Sequence, residues 1–303
     1  MTRAVVSESA NHAASGSSSK YFTLAILVAA SILVWWQPLS ATARLALGSD
    51  AHTFMLLIVP LSVVLIYAER KRIPSMASWR GWLGWTLLSV AFLLRALTAL
   101  GTSSANPDVV LPLSMCALVL WWIGSVLVCC GLGTFRALQF PLCFLFLLVP
   151  APTGVVDWIR QTLQYQSAFA TEVLFHMVRV PVTRDGLILS IPGLDIEVAT
   201  QCSSIRSSTM LVVTTLLIAH LFLHSNWRKV LLVAASIPFA VAKNAVRIFT
   251  IAELGTRVDP AYLDGKIHHS GGILFLAVGV VMIVILLWIL RRGDVRRSET
   301  QAQ

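Results

Sequence analysis

The chain has 303 residues, of which 57% are hydrophobic and only 12% charged. Soluble domains average about 25% charged residues, so this composition excludes a disordered chain, a disulfide scaffold and an ordinary soluble enzyme. It indicates a polytopic membrane protein. The formal net charge of +9 comes from 23 Lys and Arg residues against 14 Asp and Glu residues, an excess that membrane proteins usually carry in their cytoplasmic loops.

Residues 1–20 are polar and rich in serine, which predicts a disordered cytoplasmic tail. Eight apolar runs follow, each compared with the roughly 20 residues that cross a hydrocarbon core. The runs are 22–38, 53–68, 81–100, 109–131, 139–152, 203–223, 230–250 and 271–290. The sequence therefore predicts an all-α polytopic membrane protein of about eight transmembrane helices. Its membrane domain is expected over 21–292 and a cytoplasmic tail over 293–303.

The basic residues orient these helices. With the N-terminus in the cytoplasm, the inner segments carry 13 Lys and Arg residues, whereas the longer outer segments carry six. Arg70-Lys71-Arg72 and the four arginines over 291–297 are the strongest inner markers. Because cytoplasmic loops collect positive charge, both termini are predicted to be cytoplasmic. No basic groove with interleaved aromatic residues remains outside the spans, so no nucleic-acid partner is expected.

The longest segment between predicted helices, 153–202, falls on the outer side. Apolar residues recur at helical spacing from Val155 to Met177, which predicts an amphipathic helix at the membrane surface. Asp185-Gly186 lies between alternating runs and predicts a hairpin, followed by a short strand from Leu194 to Ala199. The segment is either a simple loop or a small extracytoplasmic helix-plus-hairpin cap, between helices five and six, that holds a substrate over the membrane.

Four basic residues fall inside predicted spans, where ionisable side chains cost several kcal/mol and are candidates for function. They are Arg95, Arg206, Lys243 and Arg247. The stem of Arg95 is long enough to reach the headgroups, so snorkelling is the favoured interpretation for it. The other three converge on the outer ends of helices six and seven.

Three clusters that are distant in sequence are thus predicted at one membrane depth: Cys202, Arg247 and the doublet His268-His269. A helix N-terminus and a nearby arginine favour the nucleophilic thiolate. Arginine also stabilises an oxyanion, and imidazole exchanges protons with a leaving amine. These residues outline a cysteine acyl-transfer site. The other four cysteines lie in apolar runs and are expected to be small hydrophobic residues; no metal site or cofactor is indicated.

Three motifs follow one another along the chain. They are Cys202-Ser203-Ser204-Ile205-Arg206, Asn244-Ala245-Val246-Arg247-Ile248, and His268 followed by Gly272 and Phe275. They resemble the Cys-Ser-Gly-Ile/Leu-Arg, Asn-x-x-Arg-Ile and His-x-x-x-Gly-x-x-Phe motifs of the exosortase/archaeosortase family. Phe140-Pro141-Leu142, Leu163-Gln164 and Ser167-Ala168 resemble its preceding segments. The resemblance covers about residues 80–290, and Ser204 stands where the family usually has Gly.

The resemblance implies a membrane cysteine peptidase or transpeptidase that cleaves C-terminal sorting signals of exported proteins. Such a signal combines a short motif such as Pro-Glu-Pro, a transmembrane helix and a basic tail. The enzyme is expected in the bacterial inner membrane with its site facing the periplasm or exterior. Cys202, Arg247 and His268 are the expected catalytic residues, with His269 as the alternative to His268. Arg206, Asn244, Ser203 and Ser204 are expected to bind substrate; the acceptor and the oligomeric state are left open.

Two other functions compete with this interpretation. Lys243 and Arg247 are a candidate anion-binding pair for a transporter or channel. Against that, the polar residues gather at one surface rather than at the midplane, and no internal repeat is visible. An enzyme acting on lipid-linked saccharides would call for paired carboxylates or an Asp-rich outer loop, to which Asp259 and Asp264 add little.

Overall fold

The computed structural model describes residues 20, 22–73, 81–101, 106–198, 205–259 and 272–301. The described chain is helical apart from one small antiparallel sheet, so the predicted all-α membrane fold is confirmed. It divides into two compact units, Met1–Thr153 and Gly154–Gln303. The tail predicted over 1–20 lies almost entirely outside the described residues.

The described part of the first unit consists of six α-helices and two 3-10 turns. They are α1 (Phe22–Val34), α2 (Trp36–Gly48), α3 (Met55–Glu69), the turn Arg70–Arg72, α4 (Gly81–Leu100), α5 (Pro107–Ala137), α6 (Gln139–Phe144) and the turn Leu145–Leu148. The closest packing is between α4 and α5. There a Cβ at Gly84 would stand 2.6 Å from Val128 Cγ2 and 2.8 Å from Val128 N, so only glycine allows these two helices to approach so closely.

α1 and α2 meet at Trp35 with a bend of 72°. Pro38 has no N–H to donate to the Val34 carbonyl four residues earlier, so the helix cannot continue regularly. Arg95 of α4 replaces the lost donor, since its Nε and Nη2 both lie 3.2 Å from Val34 O. Trp35 itself is 1% exposed and donates from Nε1 to Ser114 O at 2.9 Å. Arg95 therefore stabilises the bend by hydrogen bonding to the Val34 carbonyl, a role that the snorkelling interpretation did not include.

The second unit begins with α7 and the sheet. Its elements are α7 (Thr153–Met177), β1 (Thr183–Asp185), β2 (Ile188–Ile191), β3 (Leu194–Glu197), α8 (Ile205–Phe222), α9 (Asn226–Arg257) and α10 (Gly272–Gln301). The first residue of α7, Thr153, still belongs to the first unit. The strands are antiparallel in the order β1-β2-β3. Asp185 pairs with Ile188 across the predicted turn, where Gly186 takes a φ of +61°. The predicted helix, hairpin and following strand are all present.

Two hydrophobic clusters hold the second unit together. The first joins α7, the sheet and α9 through residues such as Phe175, Leu189 and Ile248. The second joins α8, α9 and α10 through Leu211, Leu232 and Ile283. α9 contributes to both clusters, so it is the helix that connects the sheet region with the helical bundle.

Five described helices are long and apolar enough to cross a membrane: α4, α5, α8, α9 and the part Leu274–Arg292 of α10. The number rises to seven if each of two bent helix pairs counts as one span. The predicted number of eight is not confirmed. The first run breaks at Trp35, α3 has only 15 residues, and the run at 139–152 forms α6 and a 3-10 turn.

Candidate active site

The buried polar face of α9 carries Lys243, Asn244 and Arg247. Their residues are 1%, 2% and 8% exposed, although α9 is one of the candidate spans. Positions i, i+1 and i+4 lie on one side of a helix, so all three side chains face the interior of the second unit. Two buried cations within one turn of a span are costly, and such residues mark functional sites in membrane proteins.

α7 holds the Asn244 side chain in place. Asn244 Nδ2 donates to Ser167 Oγ at 2.9 Å, and both residues are buried. The same stripe of α7 places Gln164 Nε2 3.1 Å from the Val198 carbonyl, just after β3. Asn244 Oδ1 is buried and has no hydrogen-bond partner among the described residues. An amide fixed at one end and unsatisfied at the other is suited to receive an N–H group of a bound chain.

Lys243 connects α9 to the first turn of α8. Its Nζ donates a hydrogen bond to Ser207 Oγ. α10 leaves room for the lysine stem at Gly279, where a Cβ would lie 3.2 Å from Lys243 Cδ and 3.1 Å from a methyl group of Leu211. Three helices thus cooperate to place one ammonium group beside the start of α8.

α8 begins at Ile205, so its unpaired N–H groups and the positive end of its dipole lie in this first turn. Arg206 is exposed, whereas Ser208 is buried. Ser208 Oγ is one of the buried polar atoms without a hydrogen-bond partner in the described part of the chain. The first turn of α8 therefore carries positive electrostatic potential together with a hydroxyl group that is available to a ligand.

The predicted site residues are only partly described. Arg206, Asn244 and Arg247 are placed as above, on α8 and α9 of one unit. Cys202, Ser203, Ser204, His268 and His269 lie outside the described residues. In sequence, Cys202 precedes the first residue of α8 by three positions, and His268 precedes the first residue of α10 by four.

Sequence reasoning missed the roles of Ser167, Ser207 and Gly279. Ser167 belongs to a stripe of α7 at spacings of three and four residues that includes Gln164 and Thr171, all of them buried. That spacing was visible in the sequence, but the helix was predicted from its apolar residues alone, so the polar stripe was overlooked. Nothing in the sequence indicated that Lys243 would contact Ser207, because 36 residues separate them.

Comparison with known proteins gives one result. The family model described as transmembrane exosortase matches residues 35–285, which is most of the chain. No curated protein matches the chain, and no solved structure matches it. The matched range includes α8, α9 and the first part of α10, and therefore Lys243, Asn244 and Arg247 on the buried polar face of α9.

Proposed function

The chain belongs to the transmembrane exosortase family, and from this premise we propose that it is a cysteine peptidase or transpeptidase acting on exported proteins. Its substrates carry a C-terminal sorting signal with a short motif such as Pro-Glu-Pro, a transmembrane helix and a basic tail. The chain is a multi-span membrane protein. We further propose that both termini are cytoplasmic, in a bacterial inner membrane, and that the site faces the periplasm or exterior.

The proposed reaction begins at the Cys202 thiolate. The sulfur attacks the carbonyl carbon of the scissile peptide, Arg247 stabilises the oxyanion that forms, and His268 gives a proton to the leaving amine. The C–N bond breaks and a thioester to Cys202 remains. An acceptor nucleophile or water then attacks this thioester, transfers its proton to the imidazole, and releases the thiolate.

The observation that carries the proposal is the pair Asn244 and Arg247 on the buried face of α9. A guanidinium that is 8% exposed inside a candidate span is costly to bury, and such residues mark functional sites in membrane proteins. A guanidinium at this position is suited to stabilise the negative charge that forms during the proposed reaction. Asn244, fixed by Ser167, offers a buried amide oxygen from a position three residues earlier on the same helix. Arg206, in the first turn of α8, is a proposed contact with the sorting signal, together with Ser203 and Ser204, which precede that helix in sequence.

The test is co-expression of the full chain with a tagged protein that carries such a sorting signal. Cys202→Ala is expected to abolish processing and to remove a hydroxylamine-sensitive adduct between enzyme and substrate. Cys143→Ala is the matched control, because Cys143 is an exposed cysteine of α6 in the other unit. Processing that survives Cys202→Ala would overturn the thiol mechanism.

Arg247 is tested separately, because an electrostatic role predicts loss of rate without loss of fold. Arg247→Gln is expected to lower the processing rate about 100-fold or more, the usual cost of removing an oxyanion donor. Arg257→Gln is the control on the same helix, since Arg257 is exposed and pairs with Glu253 at 2.7 Å. If Arg247→Gln instead abolished uptake of a small anion in cells that never process the substrate, the transporter interpretation would replace this one.

A further inference from the structure

A cavity of about 470 Å³ lies in the first unit, apart from the residues of the candidate active site. α2, the end of α4, the start of α5 and the segment that follows α6 form its walls. Every lining residue falls in a predicted outer loop or at the predicted outer end of a span. The cavity is therefore expected at the depth of the lipid headgroups on the outer side.

The walls of the cavity are mainly apolar. Ala41 and Leu45 of α2 line it together with Val110 and Leu111 of α5. Four prolines also line it, Pro38, Pro107, Pro112 and Pro150, and proline has no N–H to donate. Such walls suit methylene groups and offer a polar ligand few hydrogen-bond donors.

Two opposite charges stand among these apolar walls. Arg95 directs Nε and Nη2 to the Val34 carbonyl, which uses two of the five N–H groups of its guanidinium. Asp108 accepts a hydrogen bond from Thr153 Oγ1 at 2.5 Å through one carboxylate oxygen. The fork of an arginine fits a phosphate group, and a carboxylate fits an ammonium group.

We propose that this cavity binds a zwitterionic phospholipid of the phosphatidylethanolamine class. The phosphate contacts Arg95, the ammonium contacts Asp108, and the first methylene groups of the acyl chains lie against α2 and α5. A purely anionic headgroup would leave Asp108 facing negative charge, and a soluble zwitterion without chains would leave the apolar walls unfilled. Binding is non-covalent and independent of the proposed peptidase activity.

The experiment measures binding of short-chain lipids to the full-length protein in detergent by native mass spectrometry. The probes are dihexanoyl phosphatidylethanolamine, dihexanoyl phosphatidylglycerol and free phosphoethanolamine. The intact protein is expected to prefer the ethanolamine lipid. Asp108→Asn keeps an acceptor for Thr153 but loses one charge-assisted contact with the ammonium. The variant is therefore expected to bind the ethanolamine lipid about tenfold more weakly and the glycerol lipid more tightly. Arg95→Gln is expected to lower the affinity for both lipids, because both carry a phosphate.

A cavity-filling variant keeps the test independent of charge and of the bend that Arg95 supports. Ala41→Leu places bulk in the cavity and is expected to reduce binding of both lipids. Ala43→Leu is the matched control, because Ala43 is an exposed residue of the same helix that does not line the cavity. An unchanged lipid preference in Asp108→Asn would overturn the proposal, as would phosphoethanolamine that binds as tightly as the lipid.

Discussion

Lys243 is 1% exposed inside a candidate span, and Arg247 follows one turn later on the same buried face. The interior of a folded protein rarely gains stability from such a charge, and an apolar residue of similar size is often neutral or stabilising in its place. The structure nevertheless accommodates the lysine carefully, with Ser207 as its acceptor and Gly279 beside its stem. We infer that the ammonium supports the proposed reaction by fixing the first turn of α8, which Cys202 precedes by three positions in sequence.

Lys243→Met should separate this role from a purely structural one. The variant is expected to keep or raise its thermal midpoint, since an apolar chain of similar length replaces a buried charge. Its processing rate should fall about tenfold, because Ser207 loses one charge-assisted hydrogen bond. Tryptophan fluorescence in detergent reports the midpoint, and a tagged substrate reports the rate. Lys229→Met serves as control near the opposite end of α9; a Lys243→Met variant with full activity would contradict the inference.

The bond between Ser167 and Asn244 should contribute measurably to stability, because both partners are buried. Ser167→Ala leaves the Asn244 amide without its acceptor and is expected to cost about 1–3 kcal/mol of unfolding free energy. A double-mutant cycle with Asn244→Ala should give a coupling energy of about 1 kcal/mol. Ser236→Ala is the control, since the Ser236 hydroxyl is buried but bonds only to Val233 of its own helix. Additive single effects would mean that the contact contributes nothing.

At the scale of elements, the buried face of α7 combines apolar residues such as Ala168 and Phe175 with polar ones. Its polar residues Gln164, Ser167 and Thr171 are buried, whereas Trp158 and Phe169 are 66% and 53% exposed. In water the apolar stripe would be expected to face the core. At a membrane the rule changes, because lipid can cover apolar side chains while the protein satisfies the polar ones.

Two phenylalanines on α7 test this arrangement with one residue type. Phe175 is fully buried and packs against Phe249 with ring centroids 5.0 Å apart, so Phe175→Ala should cost about 3–5 kcal/mol. Phe169 is exposed, so Phe169→Ala should change the free energy of unfolding by at most about 0.5 kcal/mol in detergent. Unfolding in mixed detergent micelles gives both values. Equal costs would show that the assigned faces of α7 are wrong.

Gly84 tests the packing of α4 on α5. A methyl group there would stand 2.8 Å from a backbone nitrogen of α5, which cannot move aside as a side-chain end can. Gly84→Ala is therefore expected to cost about 1–3 kcal/mol and to lower the thermal midpoint. Gly48→Ala, at the end of α2 with no atom within 4 Å of the added carbon, should leave the midpoint unchanged. Equal midpoints would mean that α4 and α5 are farther apart.

The sequence predicted these elements unevenly, for physical reasons. Local signals were sufficient for α7, the turn at Gly186 and the following strand, because helical spacing and turn chemistry act within a few residues. They were insufficient at Trp35, where Pro38 weakens the helix but Arg95, 61 residues from Val34, stabilises the bend. They also left open which face of α7 is buried, since periodicity defines two faces and only the surrounding medium decides between them.

At the scale of the whole molecule, the same limit applies to the candidate site. Lys243 and Arg247 were identified from the sequence alone, because a charged side chain inside an apolar span carries a large free-energy cost. The motifs led to the family, which the match over 35–285 confirms. Ser167 and Ser207 could not be found in this way, because a serine in a span carries little free-energy cost. Their partners also lie far away in sequence, 77 residues from Ser167 and 36 residues from Ser207. The catalytic assignment of Cys202 and His268 stays a prediction.

The topology prediction is the one on which the direction of the reaction depends. α8 contains 18 residues and is about 27 Å long at 1.5 Å per residue, close to the thickness of a hydrocarbon core. If α8 and α9 both cross, the turn at Gly193, the connection at Ser225 and Asp259, just after α9, must alternate between the two sides. The excess of basic residues in the inner segments predicts that Gly193 and Asp259 are outside and Ser225 inside.

Alkaline phosphatase, which is active only after export, can be inserted at each of these three positions of the full chain. High activity is expected at Gly193 and Asp259 and low activity at Ser225, with similar amounts of fusion protein in each case. A cytoplasmic reporter such as green fluorescent protein should give the opposite order and serves as control. Activity at Ser225 alone would mean that the chain has the opposite orientation in the membrane. The first turn of α8 would then face the cytoplasm, where no exported sorting signal could reach Arg206. Equal activity at Gly193 and Ser225 would mean that α8 does not cross at all.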